Sequence, residues 1–159
     1  HVTPPPTSAP PPPSRPVDKP AHRPDNDPIA MNDLFDTLRF DSHGLIPAVI
    51  ADASTHAVLM VAWMNRDALT RTLESGKTHF FSRSRNKLWM KGEESGHVQL
   101  VKSIRTDCDA DVLLIEVEQH GVACHEGYRS CFFRELRGTH WQVADERQVD
   151  PKTVYPKKA

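Results

Sequence analysis

Cysteine is scarce in this sequence: 159 residues hold three, and no two form a CxxC pair. An odd count without paired spacing excludes a secreted scaffold held together by disulfides. The thiols are left as buried filler, nucleophiles or metal ligands in a reducing compartment, so a cytoplasmic location is expected. Long apolar runs are also missing. No stretch approaches the roughly 20 residues needed to cross a bilayer, and the N-terminus lacks the charged-then-apolar pattern of a signal peptide. Nor does one sign of charge dominate: 20 basic and 21 acidic side chains give a formal net charge of -1. That balance argues against a protein that coats nucleic acid or a polybasic membrane binder.

Proline is concentrated rather than scarce, with 11 of the 14 falling in residues 1–30. Large apolar residues are nearly absent there, so the stretch cannot pack a core. It is expected to be a disordered proline-rich tail ahead of a natural start at Met31. Residues 31–140 are then the folded domain, and 141–159 a weakly patterned C-terminal extension. Met31, Leu34, Phe35 and Leu38 recur at helical spacing, which predicts a short helix capped by Asn32. A second helix follows Asn65 and stops at Gly76. The apolar, partly β-branched runs LIPAVIAD, AVLMVAWM, THFFSRS, VQLVKSIR, DVLLIEVEQ and CFFREL predict strands, with RNKLWMKGEESGH as a loop. The expected class is α+β: a single domain built on a compact mixed sheet, with two short helices.

Three stretches carry chemistry. Cys108, Cys124 and Cys131 lie at strand edges, and ACHEGYRSC is not core-like. Three thiolates and a water would give zinc an open fourth position, the catalytic rather than the structural pattern. In TDCDAD an extended chain would put Asp107, Asp109 and Asp111 on one face and Cys108 on the other. Three carboxylates suit a hard cation such as Mg²⁺; a solvated acidic turn is the plain alternative. In SRSRNKLWMKGEESGH, Arg83, Arg85 and Lys91 suit phosphate, and Trp89 offers a face to a base. Ser95 and Gly96 permit close backbone approach. A mobile basic loop would have the same composition. Together the three stretches point to hydrolysis of a phosphorylated, nucleotide-like substrate.

The segments AWMN, FFSRSRNKLWMKGEESGHVQ and IRTDCDADVLLIEVEQHGVACHEGYRSCFFREL strongly resemble the phosphoribosyl-AMP cyclohydrolase family of histidine biosynthesis, over about Met31 to Leu136. The resemblance implies a barrel-like α+β unit that forms an intertwined homodimer. It implies one Zn²⁺ per subunit on Cys108, Cys124 and Cys131, shared between chains, and Mg²⁺ on Asp107, Asp109 and Asp111. The implied reaction opens the adenine ring of phosphoribosyl-AMP by adding water at C6 and breaking the N1–C6 bond, the third step of the pathway. Family members are often fused to a pyrophosphohydrolase domain, and too few residues follow Leu136 for one, so the single-function form is expected. Met90 is a departure, since some relatives carry histidine at that loop position.

Three thiolates on a divalent ion leave a cluster near -1, a weaker Lewis acid than one held by neutral histidines. Water activation then needs a base, and His125, with an imidazole's near-neutral affinity for protons, is the candidate. His97 is expected as a substrate contact and His120 as a surface residue. Two other readings compete. A zinc-stabilised binding module would close the fourth position, but the cysteines supply only three ligands unless His125 completes the set. A zinc nucleobase deaminase would need an H-x-E and P-C-x-x-C pattern that is absent.

Overall fold

The computed structural model describes residues 28–155; most of the predicted proline-rich tail lies outside them. The fold centres on a four-stranded mixed sheet. Its strands are β1 (Ile46–Asp52), β2 (Val58–Met64), β5 (Gln99–Thr106) and β6 (Leu113–Gln119), in the order β2-β1-β6-β5. Central β1 pairs antiparallel with β2 and parallel with β6, and β6 pairs antiparallel with β5. Two hairpins complete the strands: β3 (His79–Ser82) with β4 (Lys87–Met90), and β7 (Arg134–Arg137) with β8 (His140–Val143). The sheet stays open, with β2 and β5 at its edges, so the expected barrel-like closure is not formed.

Burial follows position in the sheet. Ile46, Ala48 and Ile50 of β1 and Ile115 and Val117 of β6 are fully buried, as central strands require. Each large apolar side chain buried this way stabilises the fold by about 1.5–3 kcal/mol relative to exposure. Helix α2 (Arg66–Ser75) covers the sheet through Ala68 and Leu69. The Asn65 side chain accepts from the Ala68 amide at 2.8 Å, and Gly76 ends the helix in the left-handed region, both as predicted. Helix α1 (Pro28–Asp36) starts three residues ahead of Met31, so Asn32 is an interior residue rather than its cap. Phe35 still anchors the helix in the core.

The structure adds three elements. Strand β4 lies within the predicted loop because Leu88 and Trp89 find partners opposite Phe81 and Phe80; the Trp89 and Phe80 rings sit 5.0 Å apart. Strand β8 and the one-turn helix α3 (Pro151–Val154) lie in the stretch with little pattern. Between them the chain returns to the domain: the Gln148 and Val149 amides both donate to the Gly127 carbonyl. A buried polar relay runs beneath the sheet's loop end. Thr78 donates to Gln99 at 2.7 Å, Gln99 to Gln119 at 2.8 Å, and Gln119 to the His97 and His120 carbonyls. Each buried group in the relay has a partner, which such a network needs to stabilise rather than cost.

Candidate active site

The loop after β6 carries two of the three predicted thiols and His125. Cys124 is buried, and Cys131 lies near enough for the two thiols to act on each other electrostatically. The turn that joins them is tight: the Cys124 amide donates to the Tyr128 carbonyl, the Gly127 amide donates back to the Cys124 carbonyl, and the Cys131 amide donates to the Leu59 carbonyl of β2. Although Cys131 is an exposed residue, the protein around its sulfur desolvates it. That, together with the neighbouring Cys124, pushes its thiol up to about 11. A desolvated Cys131 thiol that resists ionising beside a second sulfur is the electrostatic situation a divalent cation relieves.

Lys91 follows β4 directly and is only 7% exposed. Burial pulls its ammonium down, while the adjacent Cys131 and Cys124 thiols pull it back up. Its backbone is held by the Thr78 carbonyl at 3.0 Å, so the polar relay fixes its position. Gly92 then lets the chain turn: at φ +83° a Cβ would sit 2.6 Å from the backbone of His97 and Val98.

These residues surround a cleft of about 760 Å³. Arg85, Trp89, Lys91 and Ser95 line it together with His125 and Cys131. His125 is exposed and, among the described residues, free of side-chain hydrogen bonds, so its ring faces the cleft uncommitted. Arg85, Lys91 and the cleft residue Lys152 form no ion pair among the described residues. Cations left unpaired around one cleft suit an anionic ligand.

Other predicted site residues lie elsewhere. Arg83 stacks over Trp63, its guanidinium 4.6 Å from the ring, and does not line the cleft. His97 sits behind it, on a water-sized cavity shared with Cys124 and His125. Gly96 shapes the loop, donating to the Gly92 carbonyl at 2.8 Å. His120 bonds Glu118 at the surface. The sequence reading missed Pro151, Lys152 and Tyr155, which reach the cleft from the C-terminal segment. A lone lysine beyond a stretch with little pattern gives no signal of its own.

Asp107, Asp109 and Asp111 do gather, with ligand oxygens within 4.8 Å of one another. They do so on a turn between β5 and β6, not on the extended face the sequence suggested. Ala110 takes a left-handed φ of +62°, and Asp107 accepts from the Asp111 and Val112 amides. Carboxylates that bond their own turn amides favour this geometry over a strand. Burial and then the two neighbouring charges push the Asp111 carboxyl up. In Asp107 burial also acts upward, but the Val112 and Asp111 amides outweigh it. The trio is the only group of metal-capable side chains so gathered among the described residues. Cys108 sits exposed on that same turn, so the three thiols do not converge within one chain.

Comparison with known proteins gives the family. Residues 60–133, which span Cys108, Cys124, Cys131 and the aspartate turn, match the family model described as phosphoribosyl-AMP cyclohydrolase. A phosphoribosyl-AMP cyclohydrolase of Pelotomaculum thermopropionicum is 55% identical over 125 residues, covering 78% of this chain and 97% of the relative. One from Albidiferax ferrireducens is 53% identical over 125 residues, covering 76% and 97%. The histidine biosynthesis bifunctional protein HisIE of Thermoanaerobacter pseudethanolicus is 51% identical over 125 residues, which is 79% of this chain and 58% of that protein.

Proposed function

The chain belongs to the phosphoribosyl-AMP cyclohydrolase family, and we propose that it hydrolyses the N1–C6 bond of 1-(5-phosphoribosyl)-AMP with the help of zinc, the third step of L-histidine biosynthesis. The observation that carries this reading is the cleft itself, which joins an uncommitted imidazole, the Cys131 thiol with Cys124 close behind it, and unpaired cations. A cytoplasmic setting fits the free thiols, and no helix among the described residues is long and apolar enough to cross a membrane.

Cys124 and Cys131 would hold zinc together with Cys108 of a second copy. The separation of Cys108 from the other two supports sharing between chains. So does the exposed apolar surface of Phe132, Leu136, Trp141 and Val143, which a homodimer would bury. Mg²⁺ would sit on Asp107, Asp109 and Asp111, where a divalent cation offsets three crowded charges. Zinc in this setting supplies a polarised water.

The residues of the cleft supply the rest. His125 takes a proton from the attacking water as its oxygen bonds C6. The N1–C6 electron pair goes to N1, which must gain a proton, and the former 6-amino group becomes a carboxamide nitrogen. Arg85 and Lys91 hold substrate phosphate, Ser95 adds a polar contact, and Trp89 lies beside the base.

The test is zinc content per chain together with the absorbance change on adding phosphoribosyl-AMP, before and after chelation. About one zinc per chain, with turnover lost on chelation and restored by zinc, is the expected outcome. Zinc without turnover in the presence of Mg²⁺ would refute the reading and favour a binding module.

A further inference from the structure

The C-terminal segment lies outside the region matched by the family model, yet it forms a wall of the cleft. Its attachment is specific. Gly127, two residues after His125, accepts from both the Gln148 and Val149 amides at 2.8 and 3.1 Å. At its φ of +88° any Cβ would run into the Val149 carbonyl oxygen. Arg147 stacks on Tyr128, with its guanidinium 5.1 Å from the ring. Asp150 then caps a single helical turn through the Lys152 amide at 2.9 Å. The strap is thus anchored to the loop that carries Cys124 and His125, and it delivers Lys152 and Tyr155 to the cleft.

The geometry points to Lys152 as a substrate-binding residue that contacts a phosphate monoester of the ligand in the cleft that Arg85 also lines. Lys152 is exposed and has no carboxylate partner among the described residues, although Glu93 and Glu94 also line the cleft. A phosphate dianion satisfies such an ammonium where a neutral ligand would not. The strap's helix is too short to bind an anion at its own end, so the side chain carries the contact. The inference rests on the proposed function only for which phosphate compound is turned over; the binding contact can be tested apart from catalysis.

The probe is adenosine 5′-monophosphate, which offers one phosphate monoester and one adenine, titrated calorimetrically into the full chain. Lys152→Ala is expected to weaken binding about tenfold at low salt, with the deficit shrinking as salt rises. Lys152→Arg should stay within about threefold, and the melting temperature of both variants should match the wild type, because the residue is exposed. The KM for phosphoribosyl-AMP should rise in parallel while kcat holds. Unchanged AMP affinity in Lys152→Ala, equal loss in Lys152→Arg, or no AMP binding by the wild type would each overturn the assignment. If AMP affinity falls in Lys152→Ala but the wild type does not turn over phosphoribosyl-AMP, Lys152 keeps its role and the proposed function falls.

Discussion

Arg129 joins the end of β1 to the loop that carries Cys124 and His125, and removing it should loosen both. Its guanidinium donates to Asp52, to the Gln119 carbonyl at 3.2 Å and to the Gly121 carbonyl at 2.7 Å. Its own carbonyl accepts from Ala123, beside Cys124. Asp52 is 4% exposed and also accepts from the Ser54 hydroxyl and the Ser54 and Thr55 amides. Breaking a buried pair costs about 3–5 kcal/mol because a charge is stranded. Asp52 keeps three donors, however, and the Arg129 side chain is 39% exposed, so water can replace part of the loss. Arg129→Ala should therefore cost about 2 kcal/mol, a fall in Tm of roughly 6 °C. The Ser54 hydroxyl first, then the Thr55 and Ser54 amides and Arg129, hold the Asp52 carboxyl well below its ordinary 3.8. A depressed carboxyl stabilises the fold above its unfolded pKa and loses that contribution as pH falls through the folded value. Wild-type stability should thus drop below about pH 4, and Asp52→Asn should flatten that limb. Urea unfolding of both single variants and the double variant measures the coupling, expected near 1 kcal/mol. Additivity within about 0.3 kcal/mol, or an unchanged acid limb in Asp52→Asn, would refute the clamp.

Gly92→Ala should destabilise by about 3 kcal/mol or more, measured by thermal melting, because its Cβ meets backbone 2.6 Å away and φ is +83°. In the metal-free protein, Cys131 should alkylate much more slowly than exposed Cys108 at pH 8, and its rate should climb toward pH 11, as peptide mapping with iodoacetamide would register. Asp111→Asn should raise Tm without Mg²⁺ at neutral pH, since a carboxyl held above its ordinary value is an unfavourable charge there, and should shrink the Tm gain on adding Mg²⁺. Arg85→Ala should reduce kcat/KM by about tenfold or more, whereas Arg83→Ala, already engaged with Trp63, should reduce it less; equal losses would contradict the placement of the two.

Much of the fold was legible because local and tertiary preferences agree. Asn65 and Gly76 punctuate α2 where capping chemistry requires, and the β-branched runs of β1 and β6 are the two central strands. The errors fall where tertiary context decides. The segment LWM is too short and too flanked by polar residues to declare itself a strand, yet β3 supplies its partner. The apolar spacing around Met31 gave the helix but not its start, because a helix can extend into residues that contribute nothing to that spacing. Closure into a barrel leaves no local trace at all; it depends on whether edge strands β2 and β5 meet.

The candidate site was legible in residue type more than in arrangement. Alternation along a strand gathered the three aspartates for the wrong reason: the carboxylates meet because Asp107 binds the amides of a turn. The same turn explains why Cys108 stands away from Cys124 and Cys131. A hairpin tip projects from its sheet, so a thiol there can reach another chain more readily than a thiol on the loop beneath the same sheet. Composition cannot encode that separation, and it carries the case for a shared zinc. The strap shows the complementary limit. Lys152 reaches the cleft through hydrogen bonds to Gly127, a residue 25 positions away, and through a φ that only glycine adopts easily. The sequence signal for Lys152 was therefore the glycine in CHEGYRSC rather than anything near the lysine. Substitution at 127 should displace the strap and weaken AMP binding even with Lys152 intact, whereas a cleft that binds AMP normally in Gly127→Ala would mean the strap is not what holds the lysine in place.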